Sequence, residues 1–134
     1  QPKIIEHARK LMDAPGLSWR DGVKKFLYDC CYGEKSGIAV LTIEEQQLIF
    51  RRLSEESYKT FRQKQRALFA KLLEIFGIKA DKRRIGIFTN MSLTIMIIRR
   101  AIPKTLPLFV PEAADETISL QIDSIVTYLE KLRE

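Results

Sequence analysis

Residues 55–78 read EESYKTFRQKQRALFAKLLEIFGI, and this stretch carries the clearest periodic pattern in the chain. Apolar or aromatic side chains recur every three or four residues from Tyr58 to Phe76, as on one face of an α-helix. Gly77 followed by Ile78 is typical of a helix end that is closed by a left-handed glycine and an apolar residue. The stretch therefore predicts a long amphipathic helix, about 30 Å in length at 1.5 Å per residue.

Helical spacing of apolar residues continues on both sides of this stretch. Upstream, it predicts a helix over residues 3–13, a second helix capped by Ser18, and a third capped by Thr42. Downstream, Asp81 is predicted to cap a further helix, and a closing helix is predicted over residues 112–133. The pattern predicts an all-α bundle of about five to six helices, forming one domain over residues 1–134.

The last two predicted helices are unusually apolar. Residues 85–98 carry no charge, yet the run is shorter than the roughly 20 residues that a membrane span needs. The apolar positions of the closing helix step by four and three residues in alternation, as in a coiled coil. We expect a homodimer contact through these two helices, the alternative being that the seam packs on the chain's own core. The side chains assigned to the contact are Ile87, Met91, Ile95, Ile98, Ile118, Ile122, Ile125, Leu129 and Leu132.

Composition fits a compact domain of mildly basic character. The chain has 134 residues, a formal net charge of +6, 46% hydrophobic residues and 30% charged residues. Cys30 and Cys31 are adjacent, so a disulfide between them is strained, and a reducing, cytoplasmic setting is favoured. No leader or membrane-length apolar run is apparent, and no membrane partner is expected. Because the chain begins at Gln1, we expect further sequence upstream of it.

The chemical inventory argues against an enzyme. His7 is the single histidine, and no cluster of histidine, cysteine and carboxylate residues has the spacing of a metal site. The loop from Gly33 to Gly37 lacks the glycine spacing of a phosphate-binding loop. The basic residues are spread over every predicted helix, which favours solvated faces over a nucleic-acid footprint. We therefore expect no metal, no cofactor and no catalytic residues.

Polar residues at apolar positions suggest an internal pocket. A buried amide or hydroxyl costs roughly 1–3 kcal/mol unless it is paired, so such groups either pair within the protein or orient a ligand. Aromatic stripes of this kind also form ordinary core. The candidate ligand-binding residues are Trp19, Phe26, Tyr58, Phe61, Gln65, Phe69, Asn90 and Thr94. None of them is charged, which favours an apolar or neutral ligand.

The order of these elements resembles the C-terminal regulatory domain of TetR-family transcriptional regulators. A short helix ends at Pro15 and Gly16, and the run Trp19-Arg-Asp-Gly-Val-Lys-Lys-Phe-Leu27 is similar to the start of that family's second regulatory helix. A long amphipathic helix, a buried helix, a proline-broken loop and a closing amphipathic helix then follow. The resemblance covers almost the whole chain.

This resemblance implies an effector-binding and dimerisation domain. A small effector would fill a pocket enclosed by the second, long and buried helices, and the last two helices would hold a homodimer. DNA would be bound only through an N-terminal helix-turn-helix that is absent from this sequence. Effector binding would shift the spacing of the two DNA-binding units. The alternative hypothesis is a non-enzymatic helical domain that binds another protein.

Overall fold

The computed structural model describes residues 2–33, 43–102 and 108–133, and within them all regular structure is helical. This confirms the predicted all-α bundle of five to six helices. The elements are α1 (Pro2–Asp13), α2 (Trp19–Tyr32), α3 (Ile43–Arg52), α4 (Glu55–Ile75), α5 (Lys82–Ala101), a short 3-10 helix (Pro111–Ala113) and α6 (Ala114–Leu132).

Side-chain caps fix where three of these helices begin. The oxygens of Ser18, Ser54 and Asp81 each accept a hydrogen bond from the backbone N–H three residues later, at 2.8–3.1 Å. Such a bond satisfies one of the unpaired N–H groups at a helix start. The caps predicted at Ser18 and Asp81 are confirmed, Ser54 starts α4, and the cap predicted at Thr42 lies outside the described residues.

The end of α4 is the predicted glycine turn. Gly77 has φ +80°, which side-chain-bearing residues rarely adopt, and the Ile78 N–H donates to the Leu73 carbonyl at 2.9 Å. Ile78 is buried over this turn. The Trp19 indole N–H donates to the Phe76 carbonyl at 2.8 Å, so the start of α2 is held against the end of α4.

The core contains a connected set of aromatic rings. Phe26 of α2 packs edge-on against Phe76, with ring centroids 5.4 Å apart. Phe88 of α5 contacts both Phe76 at 6.3 Å and Phe69 of α4 at 5.7 Å, again edge-on. Aromatic pairs favour this T-shaped geometry. The rings join α2, α5 and the C-terminal part of α4 into one core.

Helix α1 lies directly on α2. Gly22 of α2 is buried, and a Cβ atom at this position would lie 2.6 Å from the Cε of Met12 and 3.3 Å from the Leu11 carbonyl oxygen. His7 Nε2 is 2.8 Å from an Asp29 carboxylate oxygen, which ties the two helices together.

Across the described ranges, no helix combines the length and the hydropathy that crossing a membrane requires.

The seam of α6 faces the chain's own core, which corrects one sequence-based prediction. Helix α6 packs on both α2 and α5, and ion pairs from Arg20 to Glu130 and from Lys24 to Asp123 align it with α2. The four central seam side chains are no more than 4% exposed, so no second copy can cover them. These side chains are Ile118, Ile122, Ile125 and Leu129.

Helix α3 and the first half of α4 extend away from the core. Every residue from 55 to 64 is exposed, and so is every side chain of α3 that the structure describes. Helix α3 contacts α4 through the Phe50 ring. We call residues 43–64 the α3–α4 arm.

Candidate functional site

The aromatic members of the predicted pocket lie in two separate places. Phe26 and Phe69 are buried in the aromatic core, where other rings already contact them. Tyr58 and Phe61 lie on the arm and are each 42% exposed. The prediction that these rings line one internal pocket is therefore corrected. Phe26 and Phe69 pack against other rings of the core. Tyr58 and Phe61 lie on the N-terminal half of α4, which extends beyond the core.

The other four predicted ligand-binding residues are also dispersed. Trp19 is half-buried at the start of α2, with the Arg133 guanidinium 4.8 Å from its ring centroid. Gln65 is half-buried where α4 leaves the core. Asn90 and Thr94 are exposed on α5, and the Thr94 hydroxyl donates to the Asn90 carbonyl at 2.6 Å. The Thr94 hydroxyl is thus satisfied within its own helix.

The remaining residues of the predicted dimer contact divide in a similar way. Ile95 is buried, and Met91, Ile98 and Leu132 are partly buried against the core. Ile87 is partly buried as well, but it is not among the side chains that pack on the core. Most of the residues assigned to the predicted dimer contact therefore face the chain's own core.

The sides of α5 and α6 that do not pack on the core carry residues of mixed character, which we call the outer face. On α6, Leu120 is 61% exposed, although the neighbouring turns bury their apolar residues. On α5, Ile97 is partly buried outside the core packing, as is Ile87. The outer face consists of Ile87, Asn90, Thr94, Ile97, Leu120 and Ser124.

Two polar atoms near this pair of helices lack partners. The Ser92 hydroxyl of α5 and the Gln121 side-chain carbonyl of α6 are buried, and neither has a hydrogen-bond partner among the described residues. An unsatisfied buried polar group costs about 1–3 kcal/mol. In contrast, the nearby Thr89 hydroxyl donates to the Ile85 carbonyl at 2.7 Å. The buried polar atoms of α5 and α6 are thus less completely hydrogen-bonded than those of the rest of the core.

The α3–α4 arm carries an exposed aromatic cluster. The Phe50 ring lies 6.1 Å from that of Tyr58 and 5.5 Å from that of Phe61, and the three side chains are 37–42% exposed. The Arg62 guanidinium donates to the Tyr58 hydroxyl at 3.3 Å. The cluster is absent from the sequence-based prediction, which places Tyr58 and Phe61 in an internal pocket and gives Phe50 no role.

Basic residues close to this cluster in the sequence lack acidic partners. None of them forms an ion pair with a carboxylate in the described parts of the chain. An exposed cation without a partner keeps its hydration and contributes to a positive local potential. The residues are Arg51, Arg52, Lys59, Arg62, Lys64 and Arg66.

A groove of about 360 Å³ runs between α2 and α6. The Lys24 ammonium and an Asp123 carboxylate oxygen, 2.7 Å apart, form part of its lining. Tyr28 stands at its edge and is exposed. The groove is open and charged, unlike the internal apolar pocket that the sequence predicted. Its lining consists of Asp21, Lys24, Lys25, Tyr28, Ser119, Ile122 and Asp123.

The two thiols are poorly suited to nucleophilic chemistry. Cys30 and Cys31 are both free, and burial raises the pKa of the Cys30 thiol far above its usual range. Burial also raises the pKa of Cys31 to about 11, although the nearby Arg99 guanidinium acts in the opposite direction. Because the thiolate is the reactive form, both thiols are held in the unreactive state near neutral pH.

The ends of three helices meet at Tyr32. The Tyr32 hydroxyl donates to an Asp115 carboxylate oxygen at 2.7 Å, and the Arg99 guanidinium lies 4.8 Å from the Tyr32 ring centroid. Burial and then the hydrogen bond to Asp115 raise the pKa of Tyr32 to about 12. The end of α2 is therefore joined to the end of α5 and to the start of α6.

Metal binding has no candidate within residues 2–33, 43–102 and 108–133. No group of three or more histidine, cysteine, aspartate or glutamate side chains is placed to hold an ion there. His7 contacts the single carboxylate of Asp29, an arrangement that joins two helices.

Comparison of the chain with family models, curated proteins and solved structures finds no match.

Proposed function

We propose that this chain is the regulatory and dimerisation domain of a TetR-like transcriptional regulator, and that two copies meet through the outer face. The observation that carries the proposal is the apolar surface of α5 and α6 on the side away from the core. Leu120 is mostly exposed, and the uncharged stretch of α5 presents Ile87 and Ile97 outside the core packing. The order of the six helices supports the resemblance to the family's regulatory domain.

In a symmetric contact at the outer face, each residue is buried in both copies. Fully burying a leucine or isoleucine contributes roughly 1.5–3 kcal/mol relative to exposure, and a partly buried one contributes less. Two copies of Ile87, Ile97 and Leu120 would offset a substantial part of the estimated 4–15 kcal/mol that association costs. The polar residues Asn90, Thr94 and Ser124 between them are neutral, so the contact buries no charge, and the hydroxyls of Thr94 and Ser124 already donate within their own helices.

A small apolar or neutral molecule is the proposed effector, and Gln65 is its best-placed contact. Gln65 is half-buried where α4 leaves the core, so a ligand can reach its amide without opening the aromatic core. Binding there would favour one position of α4 relative to α1 and α5, on which it packs. DNA would be contacted only by a helix-turn-helix outside this sequence.

Sedimentation velocity of the whole chain and two variants tests the dimer. Leu120→Asp places a charge on the outer face, whereas the control Ser119→Asp places the same charge on the adjacent, exposed residue beside the groove. We expect a dimer for the wild-type chain and for Ser119→Asp, and a folded monomer for Leu120→Asp. Equal association of all three proteins would contradict the proposal that the outer face is the dimer contact.

Thermal-shift screening with neutral aromatic and aliphatic compounds tests the effector site. Gln65→Leu should abolish the melting-temperature increase produced by a binding compound while leaving the unliganded protein about as stable. Gln63→Leu is the matched control, because Gln63 is exposed on the same helix. A large loss of stability in Gln65→Leu would show instead that the amide is a structural hydrogen-bonding group.

The second candidate function is a non-enzymatic helical domain that binds another protein. The exposed aromatic cluster of the arm favours it, because contiguous exposed apolar surface commonly marks a protein contact. A wild-type chain that remains monomeric at micromolar concentration would favour this function over the homodimeric regulator.

A further inference from the structure

The α3–α4 arm presents a combination that calls for a complementary surface. Phe50 contacts both Tyr58 and Phe61, and all three side chains remain partly open to solvent. Arg51, Arg52 and Arg62 stand beside them without carboxylate partners in the described residues. A matching partner needs apolar side chains and negative charge close together.

Residues 108–116 of this same chain have that character. Leu108 is 84% exposed and Val110 is 65% exposed, with Phe109 between them partly exposed. Glu112 and Glu116 follow within two helical turns, and neither forms an ion pair with a cation in the described ranges. We call residues 108–116 the acidic segment.

The acidic segment is held in place at one end of the bundle. The hydrogen bond between Tyr32 and Asp115 fixes the start of α6 against the end of α2. The Arg99 guanidinium over the Tyr32 ring adds the end of α5 to the same group. The apolar residues 108–110 precede this anchor, so they are presented to solvent from a fixed base.

Within one copy, the acidic segment does not cover the arm. The Phe50 ring pairs with the rings of Tyr58 and Phe61, and Phe109 makes no ring contact in the described structure. The exposed fractions on both sides already include every contact that the described residues of one chain make. Both surfaces therefore remain available to a second molecule.

We propose that the acidic segment of one copy docks on the α3–α4 arm of a second copy. Leu108, Phe109 and Val110 cover the aromatic cluster, and the two glutamates lie beside the arginines of the partner's arm. In a two-fold dimer the contact forms twice, once in each direction. The inference rests on the proposed homodimer, to which it adds a second, charge-dependent contact.

A second copy explains more of the two surfaces than a polyanion would. A nucleic acid would neutralise the arm's cations, but it would leave Leu108 and Val110 exposed to water. Its phosphates would also find no cation to pair with on the acidic segment. Docking between copies satisfies both the apolar and the charged residues on each side. It also predicts association that weakens as salt screens the ion pairs.

Charge exchange between the two surfaces tests the proposal by sedimentation velocity. The arm variant is Arg51→Glu with Arg62→Glu, and the segment variant is Glu112→Lys with Glu116→Lys. Each variant alone sets like charges against each other, and we expect self-association about tenfold weaker or more. An equimolar mixture of the two variants, and the variant with all four changes, should associate about as tightly as the wild-type chain.

Controls separate this contact from general charge effects and from the outer face. Arg9→Glu with Lys10→Glu makes the same charge change on the exposed side of α1 and should leave association unchanged. Wild-type association in the arm and segment variants, or no recovery in their mixture, would overturn the docking proposal. It would leave the homodimer standing wherever Leu120→Asp still gives a monomer. Loss of binding to a single-stranded oligonucleotide by the arm variant, with self-association unchanged, would also overturn it in favour of nucleic acid.

Discussion

Truncation of Leu129 to alanine tests which side of α6 belongs to the core. Leu129 is fully buried, whereas Leu120 on the same helix is 61% exposed. Removing the end of a buried leucine loses its transfer free energy and leaves a cavity, which together cost about 2–5 kcal/mol. The same truncation at an exposed position changes the free energy of unfolding by about 0.5 kcal/mol or less.

The assay is thermal and urea unfolding of Leu129→Ala and Leu120→Ala at two protein concentrations. For a chain of this size, a loss of about 3 kcal/mol lowers the melting temperature by about 10 °C. We expect that fall for Leu129→Ala at both concentrations, and for Leu120→Ala only the concentration-dependent part that a weakened dimer produces. A Leu129→Ala chain that keeps its stability but loses its partner copy would refute the core assignment of the seam.

Three further predictions use other parts of the fold. Gly77→Ala should lower the free energy of unfolding by about 1 kcal/mol because of its positive φ, whereas Gly86→Ala, in open space within a helix, should raise it by up to about 1 kcal/mol; urea unfolding measures both. Tyr32 should ionise near pH 12, later than an ordinary tyrosine, so its contribution to stability is intact below pH 10 and is lost as pH rises to about 12; tyrosinate absorbance of the wild type and Tyr32→Phe measures this. Cys30 and Cys31 should react slowly with a thiol reagent at pH 8 and rapidly after unfolding; a fast phase in the folded protein, assigned with single serine variants, would contradict their burial.

Local signals in the sequence predicted the helix boundaries well. Ser18, Gly77 and Asp81 act through hydrogen bonds and backbone angles within a few residues, so their effect does not depend on the rest of the fold. Ser54, which is compatible with either a cap or a mid-helix position, begins α4 in the structure. The same local chemistry gave the bundle's helical class.

The partner of an apolar face is not a local property, and the prediction for α6 was wrong for that reason. The spacing of Ile118 and Leu129 shows that they share one side of a helix, but it does not say what covers that side. In the structure α2 and α5 cover it. A seam of this spacing serves equally for packing within one chain and between two chains.

The residues assigned to the pocket lie apart because the periodic pattern of α4 continues beyond the core. Phe69 and Tyr58 lie on similar sides of α4, yet Phe69 is buried and Tyr58 is exposed, since only the C-terminal half of the helix has neighbours in the bundle. The distance that a long helix extends beyond its core depends on the positions of all the other helices. The aromatic cluster with Phe50 follows from that extension.

The mass of the wild-type chain in solution tests most directly whether two copies meet. Sedimentation equilibrium over a wide range of concentration should give a species of twice the 15.6 kDa of one chain, dissociating on dilution. The outer-face contact predicts that Leu120→Asp removes this species while the fold persists. A single-copy mass at every concentration for the wild-type chain would contradict the proposed dimer.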